Sequence, residues 1–149
     1  MNDQKNLSYS TIFVALDGCE EQDFVLQKAA AIARRTHAKL VIGHVIDSSA
    51  LETASTYPAD ILEGLKVGFM KSIQPALDEL EQDADICEVE VLVQAGRIRE
   101  TLKEEMLDVV SPDLIICGAR GLSSIKYALL GSISTFLVRY PLCDTLVIK

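Results

Sequence analysis

Three glycines and a serine in the last third of the chain have the types and spacing to hold a phosphate. Gly118 and Gly121 are separated by two residues, and Gly131 follows after nine more with Ser132 beside it. Glycine lets a backbone bend and approach a ligand where a β-carbon would intrude. A new helical pattern begins at Gly131-Ser132 and runs on through Ile133 and Ser134. Its first amides and the serine hydroxyls are therefore donors without intrahelical partners. Such donors suit a phosphate. Arg120, between the paired glycines, can reach a phosphate or solvent, and Lys126 lies in the nine-residue segment that follows. Asp17, near the other end of the chain, closes an apolar run at Asp17-Gly18. It can cap the next helix, bind a ligand, or do both.

The elements that position these residues can be read from pattern. Leu114, Ile115, Ile116 and Cys117 form an unbroken apolar run, as in a strand covered on both faces of a sheet. Thr11 to Leu16 is a similar run, and so is Ala38 to Ile46. His44 lies within the latter, where a histidine reads as a hydrogen-bonded core residue. Ile86 to Val93 alternates imperfectly, with Glu88 and Glu90 among valines, as expected nearer a sheet edge, and Gln94-Ala95-Gly96 reads as its turn. Leu146-Val147-Ile148 is a last strand.

Between the strands lie helical stripes. The first carries Val25, Ala29, Ile32 and Ala33, opens among acidic residues and ends at Arg34-Arg35, in keeping with its dipole. The second carries Ile61, Leu65, Phe69, Ile73, Leu77 and Leu80. Pro75 removes one donor there and is expected to kink it, and the acidic run at its end reads as a solvated face. The third carries Ile98, Leu102, Met106, Val109 and Val110 and stops at Ser111-Pro112. The fourth, Ile133, Phe136, Leu137 and Tyr140, stops at Pro141. The stretch Asp47 to Asp60, with Tyr57 and Pro58, is long for a compact domain.

Strands alternating with helices predict an α/β fold with right-handed crossovers and a parallel, doubly wound sheet. Ligands in such sheets sit beyond the carboxyl ends of the strands, where the strand order reverses. Asp17, Val45, Gly96 and Gly118 all fall on that side, so Asp17 and the glycines are candidates for one cleft.

Composition narrows the function. The 149 residues are 49% hydrophobic and 24% charged, as for one globular domain. A net charge of −8 argues against general nucleic-acid affinity. The charge is uneven: residues 1–96 hold 7 Lys/Arg against 16 Asp/Glu, and 97–149 hold 7 against 6. An anionic ligand is better tolerated beside the second half, where the glycines lie. No apolar run suggests a membrane span or a signal peptide, so a cytoplasmic protein is expected, with residues 1–8 as a loose tail and 9–149 as the domain. Cys19, Cys87, Cys117 and Cys143 are widely spaced and read as buried free thiols in a reducing compartment. With only His37 and His44, no zinc-type cluster suggests itself.

Gly118-x2-Gly121-x9-Gly131-Ser132 resembles the nucleotide-binding signature of the universal stress protein family, in its ATP-binding branch. Val14-Ala-Leu-Asp17-Gly18, Gly43-His44-Val45, Gly96, Asp113 to Gly121 and Leu146 to Ile148 resemble the family's strands and turns in the same order, over essentially residues 9–149. The resemblance implies a single Rossmann-like domain, a five-stranded parallel sheet in order 3-2-1-4-5 between four helices. It also implies a homodimer joined through the C-terminal strand, and ATP with a divalent cation, Mg²⁺ or Mn²⁺. Carried over by position, Ala15, Leu16, Asp17 and Val45 line the adenosine end. Cys117, Gly118, Arg120 and Gly121 wrap ribose and phosphates, and Gly131, Ser132, Ile133 and Ser134 close on the phosphates. Ala119 stands where a hydroxyl residue is common in the family. The chain lacks both a Gly-x4-Gly-Lys-Ser/Thr loop and the Ser-Gly-Gly-x-Asp-Ser motif of adenylating pyrophosphatases. The implied function is a nucleotide-dependent stress-response protein with at most slow ATP hydrolysis. A dimeric interaction module of the same fold, without nucleotide, is the alternative.

Overall fold

A computed structural model describes residues 8–49, 59–119, 130–140 and 142–149. The strands are β1 (Thr11–Ala15), β2 (Lys39–Asp47), β3 (Glu88–Gly96), β4 (Leu114–Gly118) and β5 (Asp144–Ile148). They form one sheet in the order β3-β2-β1-β4-β5, with every neighbouring pair parallel. The helices are α1 (Gln22–Thr36), α2 (Ala59–Glu81), α3 (98–110) and α4 (Ser132–Val138).

Alternation along the strands sends successive side chains to opposite faces. Ile12, Val14, Leu40, Ile42, Leu114 and Ile116 therefore meet α1 and α2 on one face. Phe13, Val41, Val45, Ile115 and Cys117 meet α3 and α4 on the other. The three central strands are buried on both faces, which is why their sequences are continuously apolar. β3 and β5 are the edges, and no residue of either is fully buried. The start of β1 is fixed to β4 by one carboxylate: Asp113 accepts from the amides of Ser10 at 2.8 Å and Thr11 at 2.9 Å.

Several expectations change in detail. β3 continues through Gln94 and Ala95 to Gly96, in register with Val45 to Asp47 of β2, so those residues are strand and not turn. Pairing with β2 supplies the backbone partners that a free turn would lack. In α2, Phe69, Ile73, Leu77 and Leu80 are buried, but Ile61 and Leu65 are half-exposed because the first turns of the helix reach past the packed core. In α3, Leu102, Met106 and Leu107 are buried and Val109 is exposed. The cause is a π-helical stretch, Thr101–Leu107. Its wider turn shifts the buried stripe by about one residue relative to α-helical spacing. The acidic run at the end of α2 is solvent-facing as expected, with Asp83 paired to Arg34 at 2.6 Å. Cys87 is exposed rather than buried, since it stands just ahead of the edge strand.

Candidate functional site

β1 ends at Ala15, and the chain then turns sharply into α1. The Leu16 amide donates to the Gly43 carbonyl at 2.9 Å, which extends the β1–β2 pairing by one bond. The Leu16 carbonyl faces Nδ1 of His44 at 2.8 Å. Asp17 does not cap α1. It accepts the Cys19 amide at 3.0 Å, and Glu21 holds the cap position without a side-chain bond. Gly18 adopts φ 79°, a left-handed conformation that glycine takes without strain. This turn holds Asp17 at the tip of β1.

β4 ends at Gly118, which is still paired with Ile148. The Ala119 amide then donates to the Ile148 carbonyl at 2.7 Å, and the Gly131 amide donates to the Ala119 carbonyl at 2.7 Å. The two ends of the glycine segment are thus clamped together beside the sheet. The Gly131 carbonyl receives the Thr135 amide at 3.0 Å, the Thr135 hydroxyl at 2.9 Å and the Ser134 hydroxyl at 3.0 Å. Ser134 is buried with its hydroxyl turned to its own backbone, whereas Ser132 is exposed. The amides of Ser132, Ile133 and Ser134 have no acceptor among the described residues, as expected for the first turn of a helix.

These strand tips and α4 enclose a cleft of about 560 Å³. Ala15, Leu16, Asp17, Val45, Cys117, Gly118, Gly131, Ser132, Ile133 and Ser134 all line it. Arg120, Gly121 and Lys126 lie outside the described residues, as do Tyr57 and Pro58. The wall also contains residues that sequence reasoning did not select. Val25, Leu65, Ile98 and Leu102 add apolar surface, and His44 and Gln22 add polar atoms. His44 does make the hydrogen bond expected of a core histidine, but it also reaches the cleft. Its position beside Val45 at the carboxyl end of β2 is the signal that could have flagged it.

Electrostatics follow from burial. Burial raises the Cys117 thiol to about 11, so it is a neutral wall group. Burial, reinforced by Asp17, also raises the Cys19 thiol. The same desolvation lowers the His44 pKa, against weaker opposing effects of the Leu16 carbonyl and the Asp17 charge. Among the described residues, no group of three or more His, Cys, Asp or Glu is arranged to hold a metal ion. None of the described helices is long and apolar enough to cross a membrane.

Comparison with known proteins agrees with this architecture. The model of the universal stress protein family matches residues 8–149. The chain belongs to that family. A Staphylococcus saprophyticus protein that carries the family name is 32% identical over 143 residues, covering 96% of this chain and 85% of the relative. Among solved structures, the universal stress protein UspA from Lactobacillus plantarum superposes with a TM-score of 0.75 at 24% identity, covering 97% of this chain and all of that one. A universal stress protein in complex with cAMP gives a TM-score of 0.64 at 24% identity, covering 95% and 98% of the two chains. At this identity, the structural likeness of these universal stress proteins establishes the fold.

Proposed function

We infer that this universal stress protein holds ATP in the cleft and acts as a homodimer whose state depends on that nucleotide. The supporting observation is convergence. The tips of β1, β2 and β4 and the start of α4 border one cleft of about 560 Å³, within the roughly 300–1,000 Å³ usual for small-ligand sites. Val45, Ile98, Leu102 and Ile133 supply apolar walls suited to a base. The amides of Ser132, Ile133 and Ser134, with the Ser132 hydroxyl, suit phosphate oxygens. Asp17 suits a ribose hydroxyl or a cation, Mg²⁺ or Mn²⁺, carried on the phosphates. The cAMP complex of a relative supports adenine nucleotides as the ligand class.

Fast hydrolysis needs an oriented water and charge aimed at the transferring phosphoryl group. The residues around the cleft are suited to holding a nucleotide, so binding is the function and any turnover is slow. The second copy would cover β5, an edge strand near which Val138, Leu142 and Leu146 are 47%, 78% and 37% exposed. Apolar side chains beside an unpaired strand edge favour pairing with another chain.

Mass spectrometry of the purified, denatured protein should find co-purified adenine nucleotide. Calorimetry with ATP and Mg²⁺ should then show binding by the wild type and at least about tenfold weaker binding by Gly118→Val, which puts a branched side chain on a glycine of the cleft wall. Circular dichroism checks that this variant still folds. Equal affinities would remove the site. A wild type indifferent to millimolar ATP would favour a dimeric interaction module without nucleotide.

A further inference from the structure

The wall of the cleft nearest α1 and α2 holds polar atoms that the nucleotide reading leaves unused. His44 Nδ1 lies 2.8 Å from the Leu16 carbonyl oxygen. A carbonyl only accepts, so the proton of the neutral ring sits on Nδ1 and Nε2 keeps a lone pair. The ring is stacked on Phe69, with centroids 4.1 Å apart and planes within 9°. The stack holds the ring plane, and flipping the ring within that plane would lose the hydrogen bond to Leu16. Nε2 has no partner among the described residues, and in the same wall Gln22 Oε1 is buried without one. His44 lines the cleft, and with Nδ1 held by the Leu16 carbonyl, Nε2 is the ring nitrogen left for a ligand there.

Gln22 stands in the same wall and is 6% exposed. Its Nε2 donates to Ser72 Oγ at 3.0 Å, and that hydroxyl sends its own proton to the Phe69 carbonyl at 2.6 Å. This relay fixes the amide, with its NH2 group toward α2 and Oε1 left without a donor. One turn of α2, Phe69 and Ser72, thus orients both side chains. What they leave unpaired are acceptors.

We propose that His44 is a specificity-determining residue of the cleft, its Nε2 accepting a hydrogen bond from a donor on the bound nucleotide. The donor is the exocyclic amino group of the base or a ribose hydroxyl. This deepens the nucleotide reading and rests on it. A ligand group with only lone pairs at that position leaves two acceptors facing each other, which a buried site penalises.

The test is a thermodynamic cycle by calorimetry. ATP, ITP, 2′-deoxy-ATP and 3′-deoxy-ATP are titrated into the wild type, His44→Asn and His44→Phe. ITP replaces the 6-amino group by oxygen, and the deoxy compounds remove one hydroxyl each. Asparagine keeps a donor for the Leu16 carbonyl but lacks the distal acceptor, while phenylalanine keeps the stack on Phe69. The wild type should prefer ATP by about tenfold over either ITP or one deoxy compound. In both variants ATP should fall to the affinity of that analogue, whose own binding is unchanged. A loss against ITP assigns the base amino group, and a loss against a deoxy compound assigns that hydroxyl. If the preference survives in both variants, or was never present, the role of His44 is overturned. A uniform loss for all four ligands would also overturn it, leaving His44 a merely structural role. A wild type that binds none of the four instead overturns the nucleotide reading itself.

Discussion

Gly43 lies directly against the ring of Phe13, which is fully enclosed in the core. A β-carbon at position 43 would overlap the Phe13 ring, and that ring has no space to retreat. Gly43→Ala is therefore expected to cost about 1–3 kcal/mol by overpacking, read as a lower urea midpoint with an unchanged slope. The cysteines give a second outcome at this scale. At about pH 8, iodoacetamide should label exposed Cys87 and leave Cys117, raised to about 11 by burial, untouched until the protein unfolds. Rapid labelling of Cys117 in the native state would mean that the cleft wall opens. His44 has a sign that can be worked out. Its folded pKa lies below the reference 6.5, so the unfolded chain takes up the proton first as pH falls. Stability is lost from about pH 6.5 downward until the folded pKa is passed. Asp17 opposes the loss through its charge, and Glu21 and Asp47 line the same cleft. The difference in urea midpoint between neutral pH and about pH 5.5 should be smaller for His44→Phe than for wild type.

Among the elements, α2 has the sharpest internal contrast. Leu77 is 5% exposed and Ile61 is 50% exposed, on one nominal stripe. Leu77→Ala should cost about 2–5 kcal/mol, while Ile61→Ala should cost roughly 0.5 kcal/mol or less. Equal costs would mean that something covers the first turns in solution. Pro75 lies inside the helix, exposed, where it removes one backbone donor. Pro75→Ala should raise stability by about 1–3 kcal/mol, visible as a higher thermal midpoint. The apolar period placed α2 and α3 correctly, yet it could not say how far along each helix the core extends. That limit is physical. Periodicity gives the direction of a side chain about its axis, whereas burial depends on what stands opposite. In α3 the π-helical turn changes the direction as well, so Val109 points away and Leu107 turns inward.

For the whole molecule, the unanswered edge is β5. If a second copy pairs there, Leu146→Lys should turn a dimer into a monomer in sedimentation or light scattering, because an edge lysine opposes strand pairing. A dimer that persists would place the interface elsewhere.

The alternating order of apolar runs and helical stripes determined an α/β sheet, because buried parallel strands are continuously apolar and their crossovers need helices. The family resemblance added the strand order that the pairing now displays. Asp17, Val45 and Gly118 were legible as neighbours because all strand tips in such a sheet face one way, and the glycine spacing tied Gly131 to Gly118. The tertiary structure decided the wall opposite them. His44 and Val45 are consecutive, but alternation sends them to different faces, so one contributes an apolar surface and the other an acceptor. Gln22 acquired its unpaired oxygen only when α2 brought Ser72 within 3.0 Å of its amide nitrogen. A lone pair has meaning only relative to its neighbours, and those come from residues far away in the chain.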